Sequence, residues 1–255
     1  MNELRSKSWV RGWIAVLAGA AVAVTAGPGA QTTSPRRFAQ TEIFVELNHT
    51  DGDLGLHAAI DGETWTRLEI EGPGEFPLLD LIARGRLSAQ GLTQLAFESA
   101  EPPFDELSPA RFFRRFPEGR YEIEARAHDG AEIEGVATLS HVLAAPPENV
   151  LVSGQPAAEN CDAVLPQVHP PVVIQWDPVT TSHPEIGKKG PVTIAKYQLF
   201  VERSNVMLSL DLPRNVTRVE IPQLVTSSGK EFKFEIIART TRGNNTAIES
   251  CFTLF

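Results

Sequence analysis

Apolar and polar residues alternate along most of this chain with a period of two. In the segment 41–47, Ile43, Val45 and Leu47 fall on one side and Glu42, Phe44 and Glu46 on the other. That alternation is the signature of a half-buried β-strand. A turn at 49–53 leads to a strand over 54–60, and Asp61-Gly62 reads as a two-residue turn before a third strand over 64–70. Gly72-Pro73-Gly74 breaks the pattern, and further strands are expected over 76–85 and 92–99. One helix interrupts the strands. Ser108 suits an N-cap and Pro109 the first helical position. In the two turns that follow, Phe112, Phe113 and Phe116 can pack inward while Arg111, Arg114 and Arg115 face out. Segments 117–128 and 131–143 then form a hairpin around Asp129-Gly130.

Residues 144–150 read as a proline-stiffened linker, and 151–171 as an irregular approach to a second domain. From there, strands are expected over 172–179, 193–203, 206–213, 217–224, 231–241 and 247–255. Residues 180–191 form a loop carrying Lys188-Lys189, and Arg242 to Asn245 a hairpin turn. Short strands separated by turn signals every 8–12 residues are what a sandwich produces. The pattern therefore predicts an all-β chain of two β-sandwich domains in tandem, over residues 41–143 and 150–255.

The first thirty residues break this rhythm. Arg5, Lys7 and Arg11 precede an uncharged, mostly apolar run from Gly12 to Ala26. That is the length of a signal-peptide core and short for a membrane-spanning helix. Residues 1–30 are expected to be a signal peptide cut after Ala26 or Ala30, with 31–40 a mobile lead-in. The alternative is an uncleaved anchor. No Cys follows closely enough for a lipid anchor, and Arg36-Arg37 lies on the wrong side of the apolar run for a twin-arginine signal.

Charge narrows the picture. The chain has 23 Lys+Arg against 32 Asp+Glu, and removing the three basic residues and Glu3 of the leader gives a net charge of −11. A polyanion needs a cationic face, so no nucleic-acid partner is expected. No second apolar run could span a membrane. A secreted or periplasmic protein is expected, with no stable membrane insertion after signal cleavage. In such a compartment two cysteines suggest one disulfide, Cys161 with Cys251, closing a loop around the second domain. Two unpaired buried thiols are the alternative.

The second domain resembles a fibronectin type III module. The residues carrying the resemblance are Trp176, Tyr197, Leu224 and the run Gly229 to Phe234 leading to Ala238. Such modules usually place Tyr where this chain has Phe232. Tyr121 in the first domain occupies the place of a tyrosine corner in an immunoglobulin-type sandwich. The resemblance implies a module that binds, spaces or positions a partner, without naming it.

Candidate chemistry is sparse. Asp51 and Asp53 flank Gly52, with Glu46, Asn48 and Asp61 near in sequence, and alternating oxygens on such a turn could hold Ca²⁺. Asp-Gly is also ordinary turn chemistry, and the spacing departs from an EF-hand. Histidines 49, 57, 128, 141, 169 and 183 form no HExxH pair, so zinc is not expected; His57 and His141 read as surface or rim residues. There is no G-x-S-x-G elbow. Glu98 and Glu101 could serve as the acid and base of a glycosidase only if a cleft holds them at a set separation. Asn48, Asn215 and Asn244 each begin a glycosylation sequon. No catalytic, cofactor-binding or firm metal residue emerges. The expected function is a non-enzymatic exported binding, adhesion or scaffolding protein for an unknown protein or glycan. The alternative is a secreted glycan-acting enzyme or accessory domain.

Overall fold

The computed structural model describes residues 36–255; the signal-peptide reading of 1–30 and most of the lead-in lie outside them. The first half holds strands β1 (Arg36–Arg37), β2 (Gln40–Asn48), β3 (Asp53–Gly72), β4 (Phe76–Ile82), β5 (Leu92–Glu98), β6 (Gly119–Ala127) and β7 (Glu132–Leu139). Helices α1 (Arg86–Gln90) and α2 (Pro109–Arg115) lie between them. The second half holds β8 (Leu151–Val152), β9 (Gln155–Pro156), β10 (Gln167–Val168), β11 (Val173–Gln175), β12 (Ile194–Arg203), β13 (Val206–Pro213) and β14 (Arg218–Glu220). A short helix α3 (Gln223–Thr226) precedes β15 (Glu231–Thr240) and β16 (Asn245–Leu254). The fold is all-β.

Alternation builds two hydrophobic cores. In the first, Ile43, Val45 and Leu47 of β2 meet Trp65, Leu68 and Ile70 of β3 and Tyr121 and Ile123 of β6. In the second, Trp176 packs edge-on to Tyr197, with Leu199, Phe234 and Ile236 behind. Full burial of one such aliphatic or aromatic side chain is worth about 1.5–3 kcal/mol. The second core is sandwiched between a small sheet, β14-β11-β8-β9, and the strands β13-β12-β15-β16 of a larger one.

Asp61-Gly62 is not a turn. β3 runs straight through it for 20 residues and changes partners there. Its first part pairs with β2 and β5, its second with β6 and β4. Gly62 is needed for close approach instead: a Cβ there would come within 2.8 Å of the Phe38 ring. Residues 36–40 are likewise not a mobile lead-in. β1 pairs in parallel with β7, and Arg36 bridges Glu63 and Asp129.

The Asp129-Gly130 hairpin forms, with Gly130 at φ 84°. So does helix α2, which buries Phe112, though the Ser108 side chain makes no cap bond and its carbonyl alone accepts from Arg111 and Phe112. Tyr121 closes a tyrosine corner by donating to the Pro117 carbonyl at 2.9 Å. Phe232, lacking a hydroxyl, instead stacks on Phe252. Leu224 does not fill the core; it is 84% exposed on α3, and Val225 and Ile221 are buried in its place. Cys161 and Cys251 are disulfide-bonded across 90 residues.

The first residues of the segment read as a linker are held by hydrogen bonds to the 180–191 loop and to Thr246. Leu143 and Ala144 are fully buried; the Leu143 carbonyl accepts from the His183 N–H, and the next residue, Ala145, donates its N–H to the Thr181 carbonyl. β16 also pairs in parallel with β2, Asn245 opposite Glu46. One sheet therefore runs from β7 through β6, β3, β2, β16, β15 and β12 to β13, serving both cores.

Candidate functional site

Three adjacent strands set the site. Phe44 on β2 lies opposite His57 on β3, and His57 lies opposite Glu98 on β5. Their neighbours Val45, Leu56 and Ala58 point into the core, so these three share the outer face. After β5 the chain stays against β3, with Ser99 Oγ accepting the Leu56 N–H at 2.9 Å. Glu101 then lies across Gly55, where any Cβ would overlap its carboxylate. This brings Glu101 Oε1 to 3.1 Å from His57 Nε2. The His57 ring stacks on Phe44 with centroids 5.2 Å apart.

His57 is therefore not a free rim residue, and Glu98 and Glu101 converge: ligand atoms of all three lie within 4.8 Å of one another. Burial pushes the His57 pKa down, but the hydrogen bond to Glu101 and the charges of Glu46, Glu101 and Glu98 outweigh it, and the net shift is up. No basic side chain except His57 pairs with Glu98, Glu101 or Asp53 among the described residues. The face around Phe44, His57, Ala59, Ala96 and Glu98 is a shallow depression, not an enclosed cleft.

The proposed calcium turn is divided. Asn48 Oδ1 accepts the N–H groups of Thr50 and Asp51, and its Nδ2 donates to Asp51 Oδ2, so Asn48 closes the turn itself. Asp61 sits at the far end of the β2–β3 ladder, opposite Gln40. Asp53 is pushed up to about 6, chiefly by burial and then by Glu101, Asp51, Glu249 and Glu46, and its Oδ1 is buried without a hydrogen-bond partner. Asp53 and Glu46 thus belong to the same acidic field as His57, while Asp51 is exposed.

That field continues over β16 and β15. Glu249 pairs with Lys233 at 2.6 Å and lies opposite Glu235. Burial raises Glu235 to about 7, reinforced by Glu46, Glu249 and Glu202. Beside these carboxylates lie Phe200 and Met207, the latter 63% exposed.

Lys188 and Lys189 are both engaged within the chain. Lys188 pairs with Glu118, and Lys189 donates to the His183 and Pro184 carbonyls. His183 and His141, both buried, hold the same junction. His183 Nδ1 accepts from the N–H groups of Glu185 and Ile186, which leaves Nε2 as donor to His49 Nδ1 at 3.3 Å. His141 Nε2 donates to the Phe116 carbonyl. Of the sequons, Asn244 is buried to 1% exposure and cannot be modified in the folded chain, whereas Asn215 is exposed.

Sequence reasoning missed the roles of Gly55, of Asn244, which it named only as a sequon, and of His183, which it named only among the histidines. Only Gly55 carried a signal, as an isolated glycine within a strand pattern.

No family model matches the chain, and no curated protein matches it. Solved structures similar to it include a two-domain fibronectin type III segment from chicken tenascin, 13% identical, covering 86% of this chain and 98% of that one with a TM-score of 0.29. A tetra-tandem repeat from the extending region of a large adhesion protein is 12% identical and covers 85% of this chain and 50% of that one, with a TM-score of 0.27. The human OSCAR ligand-binding domain is 11% identical and covers 83% and 97%, with a TM-score of 0.26. Among the described residues, no helix is long and apolar enough to cross a membrane.

Proposed function

We propose that this chain is a non-enzymatic, exported binding protein that uses the outer face of its shared sheet to hold a basic protein partner. One observation carries this reading. The β2–β16 pairing joins both cores into one face, along which Glu98, Glu101, Glu46, Asp53, Glu249 and Glu235 outnumber their basic neighbours. Fields of one sign steer a partner of the opposite sign and set its on-rate. Phe200 and Met207 add apolar contact within the same face, whereas Phe44 is covered by the His57 ring and the Arg239 guanidinium. The disulfide suits an oxidising compartment, secreted or periplasmic.

The test is capture of partners from the native medium or envelope with the purified protein. Capture should weaken as salt rises and fail with Glu98→Lys/Glu235→Lys. Capture indifferent to both would refute the reading.

A second reading, a glycan-acting enzyme or accessory protein, is favoured by the convergence of Glu98 and Glu101. It requires glycan hydrolysis or binding that Glu98→Gln abolishes. The open face, which gives a sugar no enclosing walls, favours the first reading.

A further inference from the structure

We propose that His57, Glu98 and Glu101 form a binding site for a divalent transition-metal ion, with Zn²⁺ the best match. The donor set is one imidazole nitrogen and two carboxylates, all within 4.8 Å of one another. Calcium and magnesium favour oxygen-only shells, whereas zinc and its neighbours accept mixed nitrogen and oxygen ligands.

Geometry supports the assignment. The three ligands come from a rigid place: His57 and Glu98 are cross-strand partners, and Glu101 is held beside them by the Ser99–Leu56 pairing. The His57 ring already aims Nε2 at the carboxylates, and its stacking on Phe44 limits how far it turns. Gly55 leaves room that the Glu101 carboxylate occupies and that any side chain at that position would close.

Charge supports it independently. The cluster lies in a field of carboxylates that includes Glu46 and Asp53, with no Lys or Arg pairing Glu98 or Glu101 among the described residues. The Asp53 carboxylate has one oxygen buried without a partner. A divalent cation would offset that excess. Glu98 is exposed, so an ion reaches the site from solvent, and three protein ligands leave a position for water. A bound ion would also tie the 98–101 segment to β3, so binding should raise the melting temperature.

The test is calorimetric titration of the tag-free protein with ZnCl₂, CoCl₂, CaCl₂ and MgCl₂. Zinc should bind at one ion per chain, with cobalt weaker and with calcium and magnesium not competing. Glu98→Gln, an exposed position that spares the core, should weaken zinc at least tenfold, and His57→Ala should abolish the site. His49→Gln, which alters the other histidine pair, should leave it intact. The proposal is overturned by the absence of saturable zinc binding in the folded wild type. It is equally overturned by zinc binding that Glu98→Gln leaves unchanged, by loss through His49→Gln instead, or by a preference for calcium.

Discussion

Asn244 accepts the backbone N–H of Val45 through its side-chain Oδ1 at 3.0 Å, across 199 residues of sequence. Its Nδ2 donates to the carbonyls of Ser140 and Val142, so one buried amide joins the β15–β16 turn, β2 and the segment between the two cores. Asn244→Ala would leave three buried backbone groups without this partner. Each costs roughly 1–3 kcal/mol when orphaned. Urea unfolding of the variant should show a loss of about 3 kcal/mol, and a loss under about 0.5 kcal/mol would mean the junction repairs itself.

On the chain-entropy account the Cys161–Cys251 bond stabilises the fold by constraining the unfolded chain. A loop of 90 residues is worth about 4–5 kcal/mol on the chain-entropy account. Cys161→Ser/Cys251→Ser should therefore lower stability by up to that amount, read from its denaturation midpoint beside the oxidised parent. An unchanged midpoint would show the clasp to be thermodynamically idle.

Among the described residues the Tyr121 hydroxyl has one partner, the Pro117 carbonyl, and burial raises its pKa to about 12, so it stays protonated in any ordinary buffer. Tyr121→Phe keeps the ring in the core and removes only the corner bond. The expected cost is about 1 kcal/mol, constant from pH 6 to pH 9.

Acid should loosen the junction between the cores. Burial lowers the His183 pKa to about 4, with the charge of His49 acting the same way. The unfolded histidine takes a proton near pH 6.5 and the folded one resists it. The stability contributed by neutral His183 is thus full above about 6.5 and is lost as pH falls to about 4. Thermal melts over that range should fall for the parent and fall less for His183→Gln.

Glu235 acts in the opposite direction. Its folded pKa of about 7 lies above the ordinary carboxylate value because burial and the nearby Glu46, Glu249 and Glu202 disfavour its charge. Its contribution is full below pH 4.5 and is lost as pH rises through 7. Glu235→Gln should raise the melting temperature at pH 8 and leave it nearly unchanged at pH 4.5. Equal effects at both pH values would remove Glu235 from the acidic field.

The limits of the one-dimensional pattern show at particular residues. Ile43, Val45 and Leu47 alternate, and they do face the core, because pleating sends every second side chain to the same side. Asp61-Gly62 has the composition of a turn but lies in a strand, because β2 and β5 pair on one side of it and β6 takes over beyond. Leu224 was one of the residues carrying the fibronectin type III resemblance, yet α3 exposes it and buries its neighbour Val225.

Strand periodicity, the helix at Pro109, the tyrosine corner and the Cys161–Cys251 pair were legible by themselves. They depend on near neighbours in sequence or on a choice among very few partners. The acidic cluster was not. Glu98 and Glu101 are more than forty residues from His57, and Glu46 is almost two hundred from Asn245. Strand register places Glu98 and Glu46 on the face of His57, the Ser99–Leu56 contact carries Glu101 back across Gly55, and register is set by the burial of the opposite face. Local sequence therefore determined the strands, while the packing of two cores against one sheet decided where their charges meet.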